Sequence, residues 1–481
     1  MPFLAKAQQD TLAYERDITL PEAIALARAQ SVDAAVALNE LKTAYWEYRT
    51  FRANLLPEVN FTGTLPNYSK SYSSYQNSDG SYTFVRNNNL GLQGELSMDQ
   101  NIWLTGGKLS LTSSLDYIRQ LGSGGYHQFM SVPVSLELTQ PIFGVNTIKW
   151  DRRIEPVRFR EAKKSYAETL ELIASKTCEL FFELATAQAN LDIAQSNYAS
   201  ADTLYRYARG RYNIGSITEN EMLQLEVNKL NEETNMMKAR IEVEDAMLTF
   251  RSFLGIREET EVEVIADGQV PRFEVPLGRA LEEAYLHSPE PDMYRRLKLE
   301  SKSQLAQARA NRGLKADLYL QFGLSQTSDK LKESWRDPLD QQYVSLSLVI
   351  PILDWGRGRG RVRVAKSNVD LVNTQAEQGM NDFELNVRKM VRQFNLQARQ
   401  VEVAARTDET ARRRYEVALR LYLMGKSTIL DLNAAISEKD TARRNHIEAM
   451  KTYWTLYYGL RSLTQYDFER NCPLAESLPE I

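Results

Sequence analysis

The 481-residue sequence lacks any run of about 18 consecutive apolar residues, the length that a transmembrane helix requires. It also lacks a large charge of either sign, since the formal net charge is only -4. A protein that binds nucleic acid through a strong overall positive charge is therefore excluded. Hydrophobic residues make up 43% and charged residues 25%, which is typical of a folded protein rather than a disordered one. Membrane-spanning helices are therefore excluded, whereas strands that alternate apolar and polar residues are not.

Residues that commonly bind metals or perform catalysis are scarce. Cys178 and Cys472 lie far apart and match no metal-ligand spacing, so we expect free thiols. The three histidines, His127, His287 and His446, have no ligand or nucleophile partner at a working spacing. The sequence therefore predicts no enzyme activity, no metal and no cofactor.

A glycine- and arginine-rich stretch, Trp355-Gly-Arg-Gly-Arg-Gly360, lacks the third glycine position of a dinucleotide-binding fingerprint. It connects a predicted strand to a predicted helix, which favours a flexible elbow. The arginines continue at alternate positions, but the aromatic stacking partners of an RNA-binding surface are missing. We expect Arg357, Arg359, Arg361 and Arg363 to act at a membrane boundary or against an acidic segment.

The chain consists of two copies of one unit. At a shift of 210 residues, the strand-like residues 134–142 superpose on residues 344–352. The same shift superposes Tyr205 on Tyr415, Tyr212 on Tyr422, Gly215 on Gly425 and Thr218 on Thr428. Upstream, residues 52–54 superpose on residues 309–311 at a shift of 257, so the first copy carries about 47 extra residues between Asn54 and Val134.

These repeats set the predicted domain boundaries. The N-terminal segment covers residues 1–19, and its Ala5-Lys-Ala7 resembles the end of a signal peptide, which indicates a trimmed precursor without a lipid anchor. The remaining predicted parts are a first repeat at 20–254 (strands about 58–142, helical hairpin about 155–254), an equatorial linker at 255–277, a second repeat at 278–464 (strands about 316–353, helical hairpin about 358–464) and a tail at 465–481.

Long coiled-coil helices are predicted in both copies. From Tyr166 to Tyr212, apolar residues follow one another at alternating steps of four and three, and residues 376–422 keep the same register with two exceptions. The first stripe would span roughly 70 Å, so we expect an elongated molecule. The sequence leaves open whether these helices form a cylinder or a simple two-helix rod.

Both predicted hairpins turn by the same device. Gly215 and Gly425 favour the left-handed conformation that ends a helix. Each is followed three residues later by a threonine cap and six residues later by an acid: Thr218 and Glu221 in the first copy, Thr428 and Asp431 in the second. Because aspartate is a less common partner than glutamate in the reciprocal box, we expect Asp431 to act mainly through its charge.

Six segments alternate apolar and polar residues and are candidate strands: 59–65, 90–98, 109–115, 132–138, 318–324 and 344–350. The pattern alone also fits a soluble, half-buried sheet. Trp103, Trp150 and Trp355 each follow a strand, so we expect them at one membrane interface. Four to six strands are too few to close a barrel, so several subunits must complete it.

Two motifs occur twice and in the same order: Leu138-Thr-Gln-Pro-Ile-Phe143 at a strand end, and the tyrosine, glycine, threonine and acid of the hairpin turn. Together they resemble the TolC-like outer-membrane efflux proteins over residues 20–463. The resemblance implies an α+β membrane protein, a homotrimer whose long helical hairpins form a periplasmic α-barrel and whose antiparallel strands form a transmembrane β-barrel. It also implies a passive conduit in the outer membrane of a Gram-negative bacterium, joined to an inner-membrane transporter by a periplasmic adaptor (membrane fusion) protein.

The same resemblance assigns roles to the hairpin tips. The periplasmic entrance and adaptor contact would comprise Tyr212, Ile214, Gly215, Thr218, Met424, Gly425 and Thr428. Tyr422, Asp431 and Glu221 would form the gate and selectivity residues, with Tyr422 matching a tyrosine that holds the entrance closed and Asp431 matching an acidic ring. Ala434 replaces the family's second acid and Ser427 an arginine, so we expect weaker cation selectivity.

The extra block departs from the family. If residues 90–98 and 109–115 form a further hairpin, each subunit supplies six strands and a trimer eighteen instead of twelve; a hairpin folded over the outside is the competing interpretation. The alternative function is a soluble periplasmic coiled-coil tether or adaptor, which would explain the heptads without needing outward apolar strands.

Overall fold

The computed structural model describes residues 17–122, 125–256, 262–265, 270–424 and 426–474. Helices and strands follow one another in two similar series. The first series is β1 (Asp17–Thr19), α1 (Leu20–Gln30), α2 (Val32–Ala53), β2 (Glu58–Gln76), β3 (Tyr82–Ile102), β4 (Gly107–Gln120), β5 (His127–Pro141), α3 (Thr147–Asn213) and α4 (Glu219–Leu254). The second is β6 (Glu263–Ile265), α5 (Leu277–His287), α6 (Glu290–Arg312), β7 (Lys315–Ser328), β8 (Leu339–Val349), α7 (Arg357–Leu423), α8 (Ile429–Thr464), β9 (Tyr466–Asp467) and β10 (Cys472–Pro473).

The chain divides into two compact units. The helical unit is drawn from residues 1–42, 161–291 and 380–481, and the sheet unit from residues 43–160 and 292–379. Long helices combined with an antiparallel sheet confirm the predicted α+β fold class. Among the described residues, no helix is both long enough and apolar enough to span a membrane.

The sheet unit contains one antiparallel sheet of six strands in the order β2-β3-β4-β5-β7-β8. Strands β3 and β4 pair with each other and with β2 and β5 on either side, so the extra hairpin of the first copy lies within the sheet. The predicted six strands are therefore confirmed. The interpretation in which this hairpin folds over the outside is wrong, because β3 pairs with β2 from Asp99 to Tyr82 and β4 pairs with β5 from Lys108 to Arg119.

The strand register separates an apolar face from a polar face. Directly opposed pairs on the apolar face include Phe61 with Leu96 and Leu136 with Phe322. Polar side chains alternate with these along each strand, as expected for a sheet whose faces meet different surroundings. The register shifts inside three strands, between Thr64 and Asn67 of β2, between Thr112 and Ser114 of β4 and between Ser131 and Val134 of β5.

Ion pairs and ring contacts fix the start of α3 within the sheet unit. Arg160 donates two hydrogen bonds to the carboxylate of Asp292, at 2.9 and 2.7 Å. Arg158 forms a 2.8 Å ion pair with Glu300 on α6. The ring of Phe159 stacks on Tyr48 of α2 at a centroid distance of 4.9 Å. These contacts lock α2, α3 and α6 together at the end of the sheet from which the long helices leave.

Heptad packing organises the helical unit. The predicted stripe of α3 is buried at Ile173, Leu180 and Leu184, as knobs-into-holes packing requires. The two exceptions in the second copy, Gln397 and Asp408, are buried as well. The structure shows how they are tolerated, because each has a partner on α8.

Gln397 donates a 3.0 Å hydrogen bond to the carbonyl of Ala449. Asp408 lies 3.4 Å from Arg443 and 3.9 Å from the Nδ1 atom of His446. Burial lowers the pKa of His446, and Asp408 opposes that shift. Polar groups inside a coiled coil reduce stability but fix the register of the two helices, so these pairs align α7 with α8.

A buried ionic cluster joins distant parts of the helical unit. Arg461 near the end of α8 lies 2.9 Å from Glu171 of α3 and 3.0 Å from Asp467 in the C-terminal segment. Arg28 of α1 also pairs with Glu171, and the Tyr457 hydroxyl donates to Asp467 at 3.0 Å. Glu171 is 4% exposed and Asp467 2%. Arg461 therefore pairs with two buried carboxylates, and it shares one of them, Glu171, with Arg28.

Replacing Arg461 with methionine should lower the free energy of unfolding by about 3–5 kcal/mol, because buried Asp467 loses its cation and Glu171 is left with Arg28 alone. Chemical denaturation of the detergent-solubilised protein measures this change. Arg413→Met serves as the control, since its 2.6 Å pair with Glu409 is exposed and should contribute less than about 1 kcal/mol. A loss for Arg461→Met no larger than that of the control would contradict the assigned role.

Candidate functional site

The first hairpin tip forms as the sequence pattern predicts. Helix α3 ends at Asn213, and Gly215 adopts a φ of +74°, where a side chain would be strained. Thr218 caps α4: its hydroxyl accepts the Glu221 N–H at 3.3 Å, while the Glu221 carboxylate accepts the Thr218 N–H at 2.9 Å. The tip side chains remain accessible, since Ile214 is 77% exposed and Tyr212 38%.

The second tip repeats this geometry at Thr428 and Asp431. The Thr428 hydroxyl accepts the Asp431 N–H at 3.2 Å, and the Asp431 carboxylate accepts the Thr428 N–H at 3.2 Å. Asp431 thus completes the reciprocal box, which is more than the charge effect expected from sequence. Hydrogen bonds from Thr428 and Ser427 lower the pKa of Asp431. Met424 is exposed at the tip, and Gly425 lies outside the described residues.

A cavity of about 590 Å³ brings residues of both tips together. It is lined by Tyr422 and Thr428 of the second tip and by Glu221 of the first. Arg211 and Tyr207 of α3 line it as well, and burial raises the pKa of Tyr422. The structure therefore places the predicted gate residues Tyr422 and Glu221 in one cavity, whereas Asp431 faces its own cap.

The two copies also share a cation–π pair above each tip. Lys229 lies 5.6 Å from the ring centre of Tyr205, and Lys439 lies 4.5 Å from that of Tyr415. The lysines and the tyrosines both correspond at the 210-residue shift. These contacts attach the two helices of each hairpin to one another about three turns from the tip, which limits how far the hairpin can splay.

A polar groove of about 700 Å³ runs between α3, α4 and α8. Its lining follows heptad spacing on all three helices. The members are Asn190, Ile193, Ala194, Asn197, Ser200, Ala201 and Leu204 on α3; Asn228, Glu232, Asn235, Lys238, Ala239 and Glu242 on α4; and Asn433, Ile436, Ser437, Asp440 and Arg444 on α8. Steps of four and three residues place such side chains on one helix face, so α4 and α8 present mainly polar side chains to the groove, and α3 adds polar side chains between apolar ones.

Hydrogen bonds hold the wall of this groove. Asn197 donates to the Asp440 carboxylate at 2.8 Å, and Arg444 donates to the Asn190 side chain at 2.9 Å. Apolar heptads in the sequence do not reveal this groove, because polar side chains supply much of its lining. The signal was nevertheless present, since Glu221, Asn228, Asn235 and Glu242 recur at intervals of seven.

The three tryptophans predicted at a membrane interface lie near one end of the sheet. Trp103 follows β3, Trp150 lies in the first turn of α3, and Trp355 precedes α7. The guanidinium of Arg152 lies 3.7 Å from the ring centre of Trp103, and the Asn146 side chain donates to the Trp103 carbonyl at 2.8 Å. Trp355 is 90% exposed. Their position at a membrane interface stays a prediction.

Residues that could bind a metal are dispersed. Within the described ranges, no three His, Cys, Asp or Glu side chains are grouped as metal ligands. Cys178 is a free, buried thiol, and burial raises its pKa, which suppresses the reactive thiolate. Cys472 is also a free thiol.

Comparison with known proteins identifies relatives along most of the chain. The profile of the family described as outer membrane efflux protein matches residues 102–256 and 296–464. Toxin and drug export protein A of Aggregatibacter actinomycetemcomitans is 23% identical over 109 residues. That alignment covers 23% of this chain and 24% of the relative, so the chain spans about a quarter of the length of this curated protein.

Solved structures share the fold over nearly the full length. The Campylobacter jejuni CmeC outer membrane channel superposes with a TM-score of 0.66 at 15% identity, covering 92% of this chain and 85% of that one. The Vibrio cholerae outer membrane protein VceC gives 0.65 at 13% identity, covering 92% and 95%. The open state of the Neisseria gonorrhoeae MtrE outer membrane channel gives 0.61 at 12% identity, covering 92% and 88%.

Proposed function

This chain belongs to the outer membrane efflux protein family, and on that premise we propose that it is the outer-membrane channel of a tripartite efflux or secretion system. It is a passive conduit located in the outer membrane of a Gram-negative bacterium, with a large helical portion in the periplasm. Both the family and the fold are those of transport channels. The alternative of a soluble periplasmic tether or adaptor is not favoured.

The open edges and the exposed apolar face of the sheet support the proposal that the channel is a homotrimer. Strands β2 and β8 are the two edges of the sheet, so each has backbone groups without a partner in the described chain. The apolar face is open: Phe61 is 73% exposed, Val344 65% and Leu346 54%. Lipid can cover such a face, but it cannot satisfy the edges. Pairing β8 of one subunit with β2 of the next gives the backbone groups of both edges hydrogen-bond partners.

Three such sheets give an eighteen-stranded barrel, because each contributes six strands. The strands are long enough for this purpose. The shortest, β8, has 11 residues and β5 has 15, whereas a transmembrane strand needs roughly 9–11 residues. A barrel of eighteen strands leaves an aqueous channel, which suits a conduit whose selectivity is set elsewhere.

Membrane extraction tests the channel directly. Carbonate washing should leave the protein in the outer-membrane fraction, and detergent should release a trimer that migrates faster before heating than after. Reconstitution of this trimer should give ion conductance in planar bilayers. A carbonate-soluble monomer would overturn both the channel and the trimer.

The tip cavity supports a gate at the periplasmic end. Tyr422 lines it together with Arg211 and Tyr207 of the other hairpin. Its hydroxyl makes no hydrogen bond with another described residue, so packing rather than a network holds the side chain. We assign Tyr422 to closure of the entrance, and Glu221 and Asp431 to its negative charge. Tyr212, the equivalent of Tyr422 in the first copy, does not line this cavity.

Tyr422→Ala should raise single-channel conductance at least severalfold, because removing the ring opens space between the two tips. Planar-bilayer recordings of the reconstituted trimer provide the measurement. The matched control is Tyr415→Ala, one heptad earlier on α7, where the ring contacts Lys439 outside the cavity. Equal conductance of the native channel and Tyr422→Ala would remove Tyr422 from the gate.

The polar groove supports an adaptor contact. It is bounded by three helices with heptad-spaced polar side chains, and its shape suits a further helix packed in the same register. A helical hairpin of a periplasmic membrane fusion protein has this form, and asparagines at such positions specify alignment rather than add hydrophobic area. The exposed tip side chains Ile214 and Met424 extend the surface with apolar contacts.

A photo-crosslinking side chain at Asn235 should capture the coiled-coil hairpin of a membrane fusion protein in intact cells. Peptide sequencing of the adduct identifies both the partner and the cross-linked segment. The control places the same group at Met237, which is exposed on α4 outside the groove. Equal adducts at both positions, or adducts with no coiled-coil segment, would contradict the groove as the adaptor surface.

A further inference from the structure

We propose that the junction between β8 and α7 is a binding surface for the head groups of anionic phospholipids in the periplasmic leaflet. This inference rests on the proposed outer-membrane location. Its surface comprises an apolar segment, Ile350 to Trp355, followed by Arg357, Arg359, Arg361 and Arg363 in the first turns of α7.

The apolar segment is almost fully open. Ile352 is 95% exposed, Leu353 69% and Trp355 90%. Trp355 has a φ of +54°, a conformation that a bulky residue rarely adopts, and its backbone is held there by the adjoining turn. Asp354 maintains that turn by accepting the N–H groups of Gly356 at 2.9 Å and Gly358 at 2.7 Å. The protein therefore presents an apolar aromatic segment that no described residue covers.

The four arginines are exposed and form no direct ion pair. None of them lies within 4.0 Å of an acidic side chain in the described part of the chain, although Asp354 attracts Arg357 and Arg359. Asp354 is the one acid between Asp340 and Asp370, and its oxygens are engaged by backbone amides. The positive end of the helix dipole also repels these cations, so counter-ions from outside would stabilise them.

The spacing fits a membrane interface. From Arg357 to Arg363 the helix rises roughly 9 Å, at about 1.5 Å per residue. The head-group layer of one leaflet is roughly 5–8 Å thick. Cations that begin two residues after an exposed tryptophan therefore lie at the depth of phosphate groups when that tryptophan occupies the interface.

The equivalent junction of the first copy carries two of the four cations, since Thr147 and Asp151 stand at the positions of Arg357 and Arg361. At the 210-residue shift, Ile142 corresponds to Ile352 and Phe143 to Leu353, and both first-copy residues are exposed. Lys149 corresponds to Arg359 and Arg153 to Arg363, and these side chains are exposed as well. Two independent strand-to-helix junctions thus combine open apolar residues with cations one to three turns later. Such a combination complements a surface that is apolar on one side and anionic on the other.

Fluorescence quenching by brominated lipids tests the composition of lipid beside Trp355. The trimer is reconstituted in phosphatidylcholine vesicles containing equal small fractions of brominated phosphatidylglycerol or brominated phosphatidylcholine. Subtracting the signal of Trp355→Phe isolates the emission of Trp355. Quenching by the anionic lipid should exceed quenching by the neutral lipid at least about threefold at low salt.

A fourfold arginine-to-glutamine variant at Arg357, Arg359, Arg361 and Arg363 should bring this ratio close to one. The matched control makes the same change at four exposed arginines further along α7, namely Arg392, Arg399, Arg406 and Arg412. The control should keep the preference. Added inorganic phosphate should leave the ratio unchanged, since a free-phosphate site would lose it on competition.

The possible failures are distinguishable. A native ratio of one in a trimer that conducts ions overturns the lipid surface and leaves the channel intact. Equal losses in the two arginine variants would assign the effect to net charge and overturn it too. A protein that does not insert into vesicles removes the proposed outer-membrane location, and the lipid surface with it.

Discussion

Unpaired backbone groups on the outer sides of β2 and β8 are the constraint on which the rest of the molecule depends. In water they would be hydrated, but beside an apolar face that faces lipid they have no such partner. Six strands of a single chain are too few to close a ring. In the proposed homotrimer, assembly is therefore part of the fold, and each subunit supplies one-third of the barrel wall.

In the helical unit, the constraint is the alignment of long helices, which must not slide along one another. Apolar heptads alone permit slippage by one repeat, because each register buries similar area. Buried polar side chains remove that ambiguity. Gln397 must meet the Ala449 carbonyl, and Asp408 must meet Arg443, so only one alignment of α7 with α8 satisfies both. Arg461 then attaches this hairpin to α3 through Glu171.

Local features of the fold could be predicted from the sequence. Capping at Thr218 and Thr428 involves residues three positions apart, and the strands follow period-two alternation. Both features can therefore be recognised from a few consecutive residues. Contacts between distant segments could not be predicted. Arg461 and Glu171 are separated by 290 residues, and no local pattern links them. Register shifts in β4 and β5 likewise depend on the neighbouring strand.

The candidate site divides in the same way. The tips can be predicted because the turn motif occurs twice in the sequence. The gate role of Tyr422 comes only from the resemblance to the efflux protein family. The polar groove was not predicted, because its meaning depends on which three helices adjoin. Asn228 and Asn235 look like surface residues on an isolated helix. They line the groove of the proposed adaptor contact only when α3 and α8 supply its other two sides.

In the proposed channel, the same chain forms a wide barrel in the membrane and an entrance that must close at the helix tips. Eighteen strands would leave the membrane section open at all times, so control of permeation must lie in the helices. Helix ends suit that role, since the tips depend on a cap and a few side chains rather than on a continuous core. Tyr422 lines the tip cavity, so in the proposed gate the second hairpin would move by changing the packing of this ring and not by breaking a buried hydrogen bond. In the proposed gate, the tips would move while the buried ion pairs of Arg461 with Glu171 and Asp467 keep α8 attached to α3.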